Sequence, residues 1–140
     1  MMDPLLEAAI DARGKAHAPY SNYKVGAAVE TEDGEVVPGC NVESSSFGLT
    51  VCAERVALGA AVARGHNSFK SMAIVSRDGA TPCGACRQII WDLCGNLPIT
   101  LIDEDGKRET VMSGDLLPKP FDHRNLAAVD RPIEDPSGNS

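Results

Sequence analysis

The sequence predicts a layered α/β domain in which helices cover a mixed β-sheet. Three observations lead there: segments of helical apolar spacing alternate with short apolar runs, Asp-Gly pairs join two pairs of those runs, and 140 residues suffice for one domain with its own core. Leu5, Leu6, Ala9, Ile10 and Ala12 recur at helical spacing behind Asp3-Pro4, a cap followed by a first-turn proline, so a helix is expected over residues 4–17. Ala18-Pro19-Tyr20-Ser21-Asn22 reads as a turn. Residues 24–30 and 35–39 read as strands joined through Asp33-Gly34, a strong hairpin signal. Residues 51–64 return to helical period and stop near Gly65, residues 71–75 have the length of a strand, and residues 83–94 make a helix ended by Gly95. Strands at 98–102 and 108–112 flank Asp105-Gly106, and a short helical piece is expected near Leu116-Leu117. The domain is expected to span residues 1–130, with a polar, loose tail over 131–140.

Composition narrows the function. A net charge of -7 and few aromatic residues argue against a surface that tracks phosphates, so no nucleic-acid partner is expected. The N-terminus is acidic where a signal peptide is basic, and no stretch is apolar enough to span a bilayer, so a soluble, cytoplasmic protein without a membrane partner is expected. Five cysteines, an odd number, read as reduced thiols spaced for metal.

Chemistry concentrates in two segments, Cys52-Ala53-Glu54-Arg55 and Pro82-Cys83-Gly84-Ala85-Cys86-Arg87-Gln88, each opening a predicted helix. Cys83 and Cys86 stand three apart, so in a first helical turn their sulfurs face one side and can chelate one ion with Cys52. Helix N-termini carry partial positive charge, which favours thiolates. Three protein ligands leave a tetrahedral zinc one open position for water, the arrangement of a catalytic site. Glu54, beside the first ligand, is free to shuttle protons. An all-cysteine ligand set with such a glutamate is the equipment of a zinc-dependent hydrolytic deaminase. Cys40 and Cys94 follow no ligand spacing and read as core thiols, although Cys40 as a fourth ligand would close the site. His17, His66 and His123 read as surface residues.

Four further matches, in order, extend these motifs: Ala18-Pro19-Tyr20-Ser21-Asn22-Tyr23 with Val25-Gly26-Ala27-Ala28, Gly39-Cys40-Asn41-Val42-Glu43, Gly48-Leu49-Thr50-Val51 running into Cys52, and Leu116-Leu117-Pro118 followed by Phe121. Between Ala18 and about Phe121 the chain resembles the cytidine deaminases of the small, homotetrameric, all-cysteine zinc type. The resemblance implies their three-layer fold with a mixed sheet of about five strands. It also implies one Zn2+ per subunit on Cys52, Cys83 and Cys86, with Glu54 as proton shuttle. Asn41 and Glu43 match positions that hold ribose hydroxyls, and Tyr23 an aromatic that flanks the nucleoside. Main-chain groups of Ala53 and Thr81 match those that contact the pyrimidine ring and its amino group. Phe121 matches a residue that stacks on the base from a neighbouring subunit, and Phe47 one that also reaches across, so each site is completed by the neighbour. Arg55 matches an arginine that hydrogen-bonds the ligand sulfurs, and Gln88 is expected to add a contact around them. The activity implied is conversion of free cytidine and 2'-deoxycytidine to uridine and 2'-deoxyuridine with release of ammonia, as in pyrimidine salvage. The alternative is a relative acting on a modified cytosine nucleoside, blasticidin-type or N4-substituted. The chain departs from the family pattern at Phe47, where many relatives carry Tyr, and at Asp122-His123, where the family often continues Gly-Pro.

Overall fold

Asp3 starts the fold as expected: its Oδ1 accepts from the Leu5 backbone N–H at 2.8 Å and caps α1 (Pro4–Arg13). The computed structural model describes residues 2–127 and Pro132, so the expected tail otherwise lies outside the described residues. Helix α1 is shorter than the predicted 4–17, because the chain leaves it at Gly14 for tertiary partners. The His17 N–H donates to Asn41 O at 3.0 Å and the Glu43 N–H to His17 O at 2.8 Å, bonds that a continued helix would forbid.

Strands β1 (Gly26–Thr31), β2 (Val36–Cys40), β3 (Phe69–Val75), β4 (Pro98–Ile102) and β5 (Arg108–Met112) form one sheet in the order β2-β1-β3-β4-β5. Only β3 and β4 pair in parallel, joined through α3 (Gly84–Cys94); the other neighbours are antiparallel. Both Asp-Gly pairs lie in the turns they predicted, with Gly34 and Gly106 at positive φ.

Strand alternation divides the core into two faces. Ala28, Ala73, Val75 and Ile102 pack against Leu5, Leu6 and Ala9 of α1. Ala27, Val29, Met72, Ile74 and Leu101 pack instead with Ala57 and Leu58 of α2 (Ala53–Ala63) and Ile90 of α3. Two glycines let the helices lie directly on the sheet backbone. A Cβ on Gly26 would stand 2.0 Å from Ala9 O, and one on Gly39 would stand 2.4 Å from Ala57 N. The short helical piece expected near Leu116-Leu117 is a 3₁₀ turn at Ser113–Leu116, and a further helix, α4 (His123–Ala127), follows it.

This topology places the site. Gly26, the first residue of β1, pairs with Cys40 at the end of β2 and with Val75 at the end of β3. Both strands therefore finish at the same end of the sheet, and the loops leaving them lead into α2 and α3. A site beyond strand ends, at helix N-termini, is where open α/β sheets bind ligands.

Candidate metal and catalytic site

Cys52 is the N-cap of α2 and Cys83 the N-cap of α3, while Cys86 lies in the first turn of α3. Pro82 stands just before the α3 cap. The 41–52 excursion returns through a narrow neck, where Val42 and Val51 exchange two backbone hydrogen bonds of 2.9 Å, and this delivers Cys52 to the start of α2.

The three sulfurs lie within 4.8 Å of one another, with Cys52 Sγ and Cys83 Sγ 3.9 Å apart. Tetrahedral zinc with bonds of about 2.3 Å places sulfurs about 3.8 Å apart, so the Cys52–Cys83 separation matches zinc and the third sulfur is close enough to join them. No other His, Cys, Asp or Glu joins this group among the described residues. Cys40 therefore does not close it; its place is in the β2 ladder. Cys94 packs at the edge of the core, where burial pushes its thiol up to about 12.

Electrostatics favour thiolate at Cys52. The hydrogen bond from Cys86 holds Cys52 well below the usual thiol range, helped by Arg55 and Cys83. Cys86 is pushed up by the same bond and by burial. Arg55 Nη2 lies 3.7 Å from Cys52 Sγ and 3.4 Å from Thr50 O. Its Nε is buried without a hydrogen-bond partner. A guanidinium held so sparsely is favoured by nearby negative charge, which a set of thiolates supplies.

Glu54, only 5% exposed, occupies the first turn of α2. Burial pushes its carboxyl above the usual range; the Cys52 charge adds to this, and the Cys86 thiol and Arg55 oppose it in part. Glu54, Cys52 and Cys83 line a cavity of about 200 Å³, together with Tyr23, Asn41, Ala53 and Thr81. No Lys or Arg lines it among the described residues.

The remaining expected site residues are placed unevenly. Asn41 clamps the 23–25 segment, donating from Nδ2 to Tyr23 O at 2.8 Å and accepting from Val25 N–H at 2.9 Å. An amide keeps a second N–H and a second lone pair beyond these bonds. Glu43 does not line the cavity; its carboxylate accepts from the Tyr20 and Ser21 N–H groups at 3.0 and 3.1 Å and from the Ser21 hydroxyl. Phe47 and Phe121 also stand outside it, 74% and 59% exposed, with Phe47 edge-on to Tyr20. Gln88 does not reach the sulfurs: its Nε2 donates to Phe121 O at 2.7 Å and to the Asp92 carboxylate. His66 is not a free surface residue, since its side chain is 15% exposed and pairs with Glu35 of the first hairpin's turn at 2.5 Å.

Sequence reasoning missed a supporting network. The Tyr23 hydroxyl donates to Asp78, whose carboxylate also accepts from Ser76, and the Ser76 hydroxyl accepts from the Ala80 N–H at 3.1 Å. The signal was Ser76-Arg77-Asp78-Gly79, a polar turn directly after a strand. Arg87 was missed as well; it donates to Thr81 Oγ1 at 2.8 Å and Pro82 O at 2.7 Å, ordering the loop that lines the cavity.

A family model described as the cytidine and deoxycytidylate deaminase zinc-binding region matches residues 2–96. A cytidine deaminase from Sporosarcina psychrophila is 40% identical over 129 residues, covering 90% of this chain and 95% of the relative. A crystal structure of cytidine deaminase from Burkholderia pseudomallei superposes with a TM-score of 0.81 at 48% identity, over 86% of this chain and all of that one. A blasticidin-S deaminase from Bacillus cereus is more distant, 31% identical over 108 residues, 70% of this chain and 76% of that relative. With its three sulfurs at zinc spacing, its buried glutamate and its five-stranded mixed sheet, the chain belongs to the cytidine and deoxycytidylate deaminase zinc-binding family.

Proposed function

We propose that the protein deaminates free cytidine and 2'-deoxycytidine hydrolytically, giving uridine and 2'-deoxyuridine with release of ammonia. The observation that carries this reading is the sulfur trio of Cys52, Cys83 and Cys86 at zinc spacing, opening onto a cavity that Glu54 also lines. Zinc held by Cys52, Cys83 and Cys86 would supply the Lewis acidity that brings the pKa of a bound water towards neutrality. Glu54 accepts a proton from the water that adds to C4 and passes it to N3 of the base. It then takes the proton from the new C4 hydroxyl and delivers it to the exocyclic nitrogen, so that the C4–N bond breaks, ammonia leaves and a C4 carbonyl remains. Its raised pKa suits both acceptance and return of the proton.

Ala53 and Thr81 offer main-chain groups to the base, and Tyr23, held by Asp78, flanks the nucleoside. Asn41 keeps unused amide valences for the sugar, with Glu43 ordering the 20–21 turn beside it. Arg55 withdraws charge from Cys52, offsetting a ligand set whose three thiolates leave zinc with a net charge of about -1.

The cavity, about 200 Å³, is smaller than the roughly 300 Å³ at which pockets begin to enclose drug-sized ligands. One chain therefore envelops a ring-sized group. Phe121 and Phe47, exposed and outside that cavity, complete the neighbour's site in a homotetramer. A cavity without Lys or Arg favours nucleosides over 5'-phosphates. The acidic chain disfavours polynucleotides, and a thiolate ligand set suits the reducing cytoplasm.

The test follows cytidine loss at its ultraviolet band and ammonia release, before and after chelation and on return of zinc. Both nucleosides should turn over, with activity lost to chelator and restored by metal. No ammonia from cytidine with zinc-loaded protein, or strong preference for a blasticidin-type or N4-substituted nucleoside, would overturn the reading.

A further inference from the structure

Phe121 and Asp122 are adjacent in the chain yet opposite in environment, Phe121 being 59% exposed and Asp122 5%. Asp122 Oδ2 accepts from the Trp91 indole N–H at 3.0 Å and from Arg124 Nη2 at 2.7 Å. Oδ1 accepts from the Arg124 backbone N–H at 3.0 Å and from Arg124 Nε at 2.9 Å. Gln88 Nε2 donates to the Phe121 carbonyl at 2.7 Å, and Arg87 Nη1 to the Leu116 carbonyl at 3.1 Å. Gln88 and Trp91 stand three residues apart on α3, so one helix face holds both the Phe121 carbonyl and the Asp122 carboxylate while Phe121 itself stays exposed.

We propose that Trp91 and Asp122 form a latch that sets the direction of Phe121, making them positioning residues for the base in the neighbouring subunit's site. The inference rests on the reading above that Phe121 stacks there. A bland alternative is that Asp122 merely caps α4. That helix is 5 residues long, too short to hold itself in place, so the buried carboxylate is what attaches it to α3. Once buried, the carboxylate must keep its donors, because an unpaired charge there is strongly disfavoured. The attachment is therefore rigid. The Arg87 that holds Leu116 also holds Thr81 and Pro82 beside the cavity, so α3 references the subunit's own cavity wall and its outgoing Phe121 to one frame.

A double-mutant cycle tests the latch, with KM and kcat for cytidine read separately. Phe121→Ala should raise KM about tenfold, the worth of one base–aromatic stack, with little change in kcat. Asp122→Ala should raise KM about three- to tenfold alone, but less than about twofold on top of Phe121→Ala. Trp91→Phe, which deletes the indole N–H and keeps the ring, should move KM the same way to a smaller extent. A cap that serves stability alone would lower the melting temperature without this KM pattern. The latch is refuted if Phe121→Ala raises KM while Asp122→Ala and Trp91→Phe do not, or if the two alanine effects add in full. Should Phe121→Ala leave KM unchanged, the fault lies with the role given to Phe121, and the latch falls with it for that separate reason. Emission of Trp91, the only tryptophan, reports whether the indole keeps its partner. If Asp122→Ala does not fold, Asp122→Asn and Trp91→Phe carry the same comparison.

Discussion

Glu54 combines burial with the first turn of a helix whose N-cap is a metal-ligand cysteine, and both facts bear on what its removal does. Glu54→Gln keeps the volume and the helix but cannot accept a proton, so turnover should fall by about 10²- to 10⁴-fold. Zinc content, measured by atomic absorption, should stay at the wild-type value; loss of metal and fold together would assign Glu54 a structural role instead. Arg55 is the next test at this scale. Its Nη2 approaches Cys52 Sγ at 3.7 Å, so Arg55→Gln should keep the fold yet reduce turnover or zinc retention. Unchanged kinetics and metal content would remove Arg55 from the account.

Elements position these residues through close backbone contact, and Gly39 is where that contact is tightest against α2. A methyl at Gly39 would stand 2.4 Å from Ala57 N and 2.7 Å from Ala53 O, and helix backbone cannot yield as a side chain can. Gly39→Ala should therefore cost about 3 kcal/mol of stability, the upper range for overpacking. Because it lifts the helix that begins at Cys52, zinc retention should fall too, and chelator competition would read this. On α3's side of the fold, Arg124 first and Trp91 second hold Asp122 well below the usual carboxylate range. A depressed folded pKa gives stability that is complete above the unfolded value, about 3.9, and lost as pH falls through the folded one. Trp91 emission should thus hold steady from neutral pH down to about 4 and change only below it. A change near pH 6 would point to another partner for the indole.

At the scale of the whole molecule, the proposal that a neighbour completes each site predicts complementation. Hybrids of Glu54→Ala and Phe121→Ala chains should contain sites with an intact Glu54 and a donated Phe121. Co-refolded mixtures should recover a low KM that neither parent shows; a KM fixed at the Phe121→Ala value would place that ring in its own subunit's site. Much of the design was legible before any coordinates. The ligands were, because cysteines three apart at a helix start leave few other readings, and so were the two hairpins, because Asp-Gly supplies the positive φ their turns need. The end of α1 was not: His17 and Glu43 bond to each other's neighbourhood across a sequence gap that local spacing does not register. His66 and Gln88 were misjudged for the same reason, since their partners Glu35 and Phe121 lie far along the chain.

By itself the sequence determined which atoms exist for the chemistry and the local form that carries them: three thiols and a carboxylate at two helix starts, with strands of fixed alternation between. Tertiary structure alone decided that β2 and β3 finish at the same end of the sheet, on either side of β1, which brings the Cys52 and Cys83 sulfurs within 3.9 Å of each other and buries Glu54 beside them. It alone turned Asp122 inward and Phe121 outward. The physical reason is range: helical spacing and turn chemistry act over a few residues, whereas burial and ligand geometry depend on which distant segments pack together.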